Sequence, residues 1–209
     1  MPCDLVYRDA VGVETVLYDC STTSTDLASC AALDAQVSWD GNQIAFTVFR
    51  GSLRQYSDVI DYRVLNVNAD QGYTGYWARP NRFLDPQDAG RGAHLLYYDF
   101  GDSQVHEITS FVAGQWDSGP TFIDANRIAF TSTRDGHRTP RLQVGGTSNG
   151  GNTHLGTRIY SIDLNGDNLR LDSHHSTSQE QHPFMLKNGW VAYSSWQIFA
   201  GLAYRYPNS

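Results

Sequence analysis

Lysine is almost absent from this sequence. Lys187 is the only one, so fourteen of the fifteen basic side chains are arginine. Arginine presents a planar fork suited to carboxylate or phosphate, which a lysine ammonium does not. Positive charge is also scarce as a whole: the formal net charge is -7 and no polybasic run occurs. That balance argues against nucleic acid or an anionic membrane as the main partner. Long apolar runs are missing too. Nothing approaches the roughly 18 consecutive apolar residues of a membrane-spanning helix, so no membrane insertion is expected. The chain as given is read as carrying neither anchor nor signal peptide.

Cysteine is limited to three residues, Cys3, Cys20 and Cys30, all in the first thirty positions. Their spacings match no zinc-ligand pair, and no Cys-x-x-Cys-His haem attachment exists, so no cofactor is expected. Cys20 and Cys30 can close a small loop around Ser21 to Ser29, which leaves Cys3 over. Alternatively all three stay as free or buried thiols, and spacing alone leaves both readings open.

What is present favours β structure. Hydrophobic residues make up 40% of the 209 positions and aromatics 12%, with 12 tyrosines. A chain of this length can bury roughly 70% of its unfolded surface, enough for a core. The pattern centres on Gly119 to Asp135, Gly-Pro-Thr-Phe-Ile-Asp-Ala-Asn-Arg-Ile-Ala-Phe-Thr-Ser-Thr-Arg-Asp. Weaker copies stand at Ala35 to Arg50 and at His182 to Trp196. Each reads as a short apolar strand, a polar turn on Asp-Gly, Asp-Ala-Asn or Lys-Asn-Gly, and a strand of β-branched and aromatic residues.

A lone hairpin is marginal in water, so a recurring one implies stacked neighbours. The first two copies are each followed by a second hairpin pattern, His94 to Thr109 and Arg158 to Leu171. Two hairpins in series predict a four-stranded antiparallel sheet, the blade of a β-propeller. The order Pro-x-Phe, Asp-x-Asn-Arg-Ile-Ala-Phe-Thr-Ser-x-Arg-Asp-Gly, Ile-Tyr-Ser-Ile-Asp-Leu-Asn-Gly, Leu-Arg resembles the TolB-type, WD-like propeller repeat. The resemblance is specific over Gly119 to Trp196, moderate over Ala35 to Thr109 and faint before that. It departs from the family at Ile123-Asp124-Ala125 and Leu186-Lys187-Asn188-Gly189, where Ser-Pro-Asp-Gly is usual.

The expected fold is therefore all-β, a partial or truncated β-propeller with about three blades and two long inserts. Residues 1–34 form a partial blade, 35–118 a blade with an insert at 50–92, 119–181 a blade with an insert at 136–157, and 182–209 the start of another. The inserts follow from spacing: Ala45 and Ala129 lie 84 positions apart and Ala129 and Ala192 63, whereas a blade takes about 40 to 45 residues. Both interrupt a blade between its second and third strands, so both are expected on one face. Closed propellers have four to eight blades, so closure is expected through further blades of a longer parent or through self-association.

Several motifs invite chemistry. Gly146-Thr147-Ser148-Asn149-Gly150 matches a nucleophile elbow but lacks the strand before and helix after it, and reads as a flexible loop. Asp163 to Asn168 looks like a calcium loop without its helices and later Glu, and reads as a strand-to-strand turn. His174, His175 and His182 are the densest imidazole cluster, a weak metal candidate better explained by turn and hydrogen-bonding roles. Arg134, His137, Arg138 and Arg141, with Tyr76 and Trp77 of the aromatic insert, are the best candidates for a ligand or partner face. Trp39 and Trp196 are expected on strands, packing blades.

These features suggest a non-catalytic propeller scaffold that binds a protein or small ligand on one loop-bearing face. The alternative is the propeller portion of a larger enzyme, prolyl-oligopeptidase-like or hydrazine-synthase-alpha-like, with catalytic residues outside these 209. The TolB resemblance implies a bacterial protein of the periplasm or exterior.

Overall fold

A computed structural model describes residues 3–20, 30–50, 92–136, 156–175 and 178–197, with side chains described up to Ser195 in the last segment. All secondary structure there is β, and strand pairing within the sheets is antiparallel. One sheet has the order β3(Cys30–Val37), β4(Gln43–Arg50), β5(Gly92–Asp99), β6(Gln104–Glu107). A second has β7(Asp117–Asp124), β8(Arg127–Ser132), β9(Arg158–Asp163), β10(Arg170–Leu171) in the same order. A hairpin of β1(Leu5–Arg8) and β2(Glu14–Tyr18) precedes them, and β11(Ser178–Met185) with β12(Val191–Gln197) follows.

Turn chemistry explains why these hairpins close where they do. At Ser38 to Asn42 the Asp40 carboxylate accepts from the Ser38 hydroxyl at 2.7 Å and from the Asn42 backbone N–H at 3.1 Å. Gly41 supplies the positive φ of 76° that the turn needs. The Asp163 to Asn168 segment is likewise a turn, with its carboxylate taken by Arg127 and by Asn168.

The first strand of each repeat starts earlier than its hydrophobic pattern suggests, because each contains a bulge. The register slips between Leu33 and Gln36, between Ser118 and Thr121, and between Gln181 and Phe184. At the matching position of each bulge sits a left-handed residue: Asp34, Gly119 and His182, with φ of 55°, 59° and 53°. Such bulges insert one unpaired residue and bend the strand.

The core lies between neighbouring sheets. Ala45 and Leu95 of the first sheet pack with Phe122, Ile128, Phe130, Tyr160 and Ile162 of the second. The other face of the first sheet, Ile44, Phe46, Val48 and Leu96, packs against Leu5 and the Cys20–Cys30 disulfide. The open alternative for the cysteines is thus settled: Cys20 and Cys30 are bonded and Cys3 is free and exposed. One expectation is corrected. Trp39 stands in the turn after β3, not in a strand, and is 66% exposed. Its indole N–H still reaches the neighbouring sheet, donating to the Phe122 carbonyl at 3.4 Å.

Candidate functional site

Strand direction divides the two sheets into unlike ends. At one end lie the tight turns 38–42, 100–103, 125–126, 164–169 and 186–190. At the other end β4 stops at Arg50 and β5 begins at Gly92, while β8 stops at Ser132 and β9 begins at Arg158. The connections into the next first strand, 108–116 and, as far as it is described, 172–175, lie at that end too. The inserts themselves fall outside the described residues, but their stems share one end.

Trp116 joins those stems. It bridges to Ala93, its carbonyl accepts from the Thr133 N–H at 3.2 Å, and its own N–H donates to the Thr133 hydroxyl at 3.1 Å. Its ring lies 5.3 Å from that of Phe49. Residues on both sides of the first insert, and the strand end before the second, therefore meet at Trp116.

Beside it lies a buried ion pair. Asp117 is fully buried and accepts from the Ser132 hydroxyl, from Arg134 at 2.7 Å and from the Gln115 amide at 3.0 Å. The Arg134 guanidinium also covers the rings of Phe130 and Tyr160, at 5.0 and 5.4 Å from their centroids. A guanidinium held by a carboxylate and two rings gains charge-assisted and cation–π contacts together. Next to this pair Asp135 meets Arg158 at 3.3 Å. Burial, then the charge of Asp135 and its hydrogen bond, push the Tyr160 phenol up to about 12.

His94 repeats the theme in the first sheet. Its ring is buried, Nδ1 donates to the Thr109 carbonyl at 3.2 Å, and Nε2 accepts from Arg50 at 3.2 Å. These partners fix a neutral imidazole with the proton on Nδ1. Burial first, and then the charge of Arg50, lower its pKa below the usual value for histidine. Arg50 also donates to the Tyr18 hydroxyl at 2.9 Å.

This end also holds buried polar atoms with no hydrogen-bond partner among the described residues: Trp116 Nε1, Thr157 Oγ1 and Glu180 Oε2. Glu180 is fully buried, its other oxygen accepts from the Ser178 hydroxyl at 2.7 Å, and its backbone N–H donates to the Thr157 carbonyl at 2.9 Å. Buried polar groups are nearly always paired, so an indole donor, a hydroxyl and a carboxylate oxygen left over at one end invite a ligand.

Of the residues expected at a ligand face, Arg134 is at this end, 15% exposed and committed to Asp117. His137, Arg138, Arg141, Tyr76 and Trp77, like the Gly146–Gly150 loop, lie outside the described residues. His174 and His175 are exposed on the connection that leaves this end, whereas His182 is the bulge residue of β11. Among the described residues no group of three His, Cys, Asp or Glu is placed to hold a metal. Asp117, Glu180, His94 and Trp116 were not anticipated. A signal for two of them stood in the sequence: Asp117-x-x-Pro120 and Glu180-x-x-Pro183 recur at one place in the repeat.

No family model and no curated protein matches the chain. Solved structures do. An oligogalacturonate lyase in complex with manganese has 15% identity and a TM-score of 0.54, over 95% of this chain and 43% of that one. The oligogalacturonate lyase of Vibrio parahaemolyticus has 13% identity and a TM-score of 0.51, over 93% and 42%. Both are seven-bladed β-propellers. At this identity the likeness shows a propeller-like fold alone, and the chain spans less than half the length of either.

Proposed function

We propose that the chain is about three blades of a TolB-like β-propeller and serves as a scaffold, without chemistry of its own, that holds a carboxylate-bearing, hydroxyl-rich ligand at its insert end. Forty-three per cent of a seven-bladed ring is about three blades, the number the sequence repeats suggest. The observation that carries the ligand reading is the set of buried atoms at that end left unpaired among the described residues, Trp116 Nε1, Thr157 Oγ1 and Glu180 Oε2. An indole N–H suits a carboxylate or hydroxyl oxygen, and Glu180 and Thr157 suit ligand hydroxyls. Arg138 and Arg141, four and seven positions after Arg134, would supply forks for carboxylates. The Cys20–Cys30 disulfide supports the periplasm or exterior as the compartment.

A second reading is favoured by the fold likeness: both solved neighbours are enzymes, so the chain could be a portion of a propeller lyase completed elsewhere. Calorimetric titration with short oligogalacturonates, with and without manganese, separates the two while ultraviolet absorbance follows any unsaturated uronate. Binding without unsaturation, weakened at least tenfold by Glu180→Ala, supports the scaffold. Unsaturation supports the lyase reading. Absence of binding sinks the carboxylate ligand and leaves a protein as the partner to seek.

A further inference from the structure

Three equivalent positions, one in each repeat, differ in charge. Asp117 and Glu180 each stand two residues before a left-handed bulge residue, Gly119 or His182, and each has a proline three residues on. Asp117 faces Ser132 across its hairpin, and Glu180 faces Ser195. The first sheet has Ala32 at this place, two residues before Asp34 and facing Val48. Two residues past the facing position the chain carries Arg50, Arg134 and Gln197 in turn.

Each combination has its own outcome. In the second sheet Asp117 accepts from Arg134, from Ser132 and from the Gln115 amide two residues before it. In the first sheet Ala32 offers no acid, and Arg50 turns to His94 and Tyr18 instead. In the third repeat the acid stays and the arginine does not. Glu180 keeps the donor two residues before it, the Ser178 hydroxyl on Oε1, while Oε2 is buried and unpaired among the described residues. Nor does any ion pair among those residues reach it. A buried carboxylate without a counter-charge costs far more than one paired as Asp117 is.

We infer that Glu180 is a cation subsite, and that the ligand supplies there, as the ammonium of an amino sugar, the charge that Arg134 supplies in the neighbouring sheet. The inference rests on the function proposed above and narrows its ligand to an amino sugar joined to a uronate. Arg134 meets Asp117 at the insert end and is itself 15% exposed, so the equivalent place beside Glu180 is approached from the end that holds the ligand.

An ammonium suits this place better than a hydroxyl. It is compact and carries three donors with a full charge, whereas a hydroxyl has one donor and none. Thr157, whose carbonyl takes the Glu180 N–H, has the other unpaired oxygen here, so the ammonium has donors for both. The carboxylate belongs elsewhere. Trp116 precedes Asp117 as Gln179 precedes Glu180, so the indole N–H stands one repeat away and keeps the uronate off Glu180.

Calorimetric titration of the full chain with two disaccharides tests this: glucuronosyl-glucosamine with a free amine, and glucuronosyl-glucose with a hydroxyl at that carbon. The amine form should bind about tenfold tighter or more, as a charge-assisted bond replaces a neutral one. Glu180→Gln keeps the size and removes the charge, and should bring the two sugars to equal affinity. On the wild-type chain N-acetylation of the amine should abolish the gain, a readout that needs no variant. A gain that survives in Glu180→Gln, or no gain from the amine while oligogalacturonate binds, overturns the cation subsite alone. Binding of none of these sugars overturns it together with the ligand class proposed above.

Discussion

The backbone N–H of His182 donates to the hydroxyl of Thr131 at 3.0 Å, repeating the bond from Gly119 to Thr47 at 3.2 Å. In each case the left-handed bulge residue of one sheet is latched to the second strand of the sheet before it. The bulge turns an N–H out of its own ladder, and the fully or nearly buried threonine of the neighbour satisfies it. Sheet stacking in this protein thus depends on one repeated hydrogen bond as well as on the apolar core.

Thr131→Val keeps the shape and removes the acceptor. It should cost about 1–3 kcal/mol, the desolvation of a buried N–H left unmade. Thr131→Ser should keep most of the stability. Urea unfolding of the three proteins checks this, and equal losses in Val and Ser would mean that packing alone holds the sheets.

Asp117→Ala leaves Arg134 without its carboxylate in a largely buried place, and should destabilise by about 3–5 kcal/mol. Changing both residues, Asp117→Ala with Arg134→Met, should cost less than the sum of the singles. A double-mutant cycle reads the coupling, and strict additivity would show that the pair contributes no coupling energy.

His94 makes stability fall with acid. Its folded pKa lies below the unfolded value of about 6.5, so the unfolded chain takes the proton first. Its contribution is full above about pH 6.5 and is lost as pH falls below that, at up to about 1.4 kcal/mol per unit. Arg50 disfavours the proton, while Glu107 and Asp117 favour it less strongly. Asp40, Asp99 and Asp163, lowered mainly by side-chain hydrogen bonds, lose their contribution only further down, below about pH 3.9. Between pH 7.5 and 5.5 the unfolding free energy of His94→Gln should change less than that of the wild type.

Reduction should lower the melting temperature. The Cys20–Cys30 bond closes a loop of sequence separation 10, worth about 2–3 kcal/mol in the chain-entropy view. Melting with and without dithiothreitol, beside the Cys20→Ser, Cys30→Ser protein, measures it. A reductant effect that persists in the double variant would assign the loss to Cys3.

The hairpins were legible because the Asp40-Gly41 and Asn188-Gly189 turns and the Ile-Ala-Phe-Thr strands follow local rules. The bulges were not, since Asp34 and His182 adopt positive φ without being glycine and nothing beside them in sequence demands it. Arg134 was legible as a charge but not as a paired one, because its partner Asp117 lies 17 positions away across a hairpin. Glu180 and Trp116 stayed hidden for a similar reason. Burial of a polar atom is decided by neighbouring sheets, and only the Asp-x-x-Pro and Glu-x-x-Pro recurrence hinted at it.

Amide hydrogen–deuterium exchange of the purified chain with and without short oligogalacturonates tests which end holds the ligand. The expected result is slowed exchange in peptides covering 92–95, 113–117, 133–136, 156–158 and 178–181, with the turns 38–42, 100–103, 164–169 and 186–190 unchanged. Slowing at those turns instead, or at neither end, would contradict a ligand site built on the insert stems around Trp116, Thr157 and Glu180.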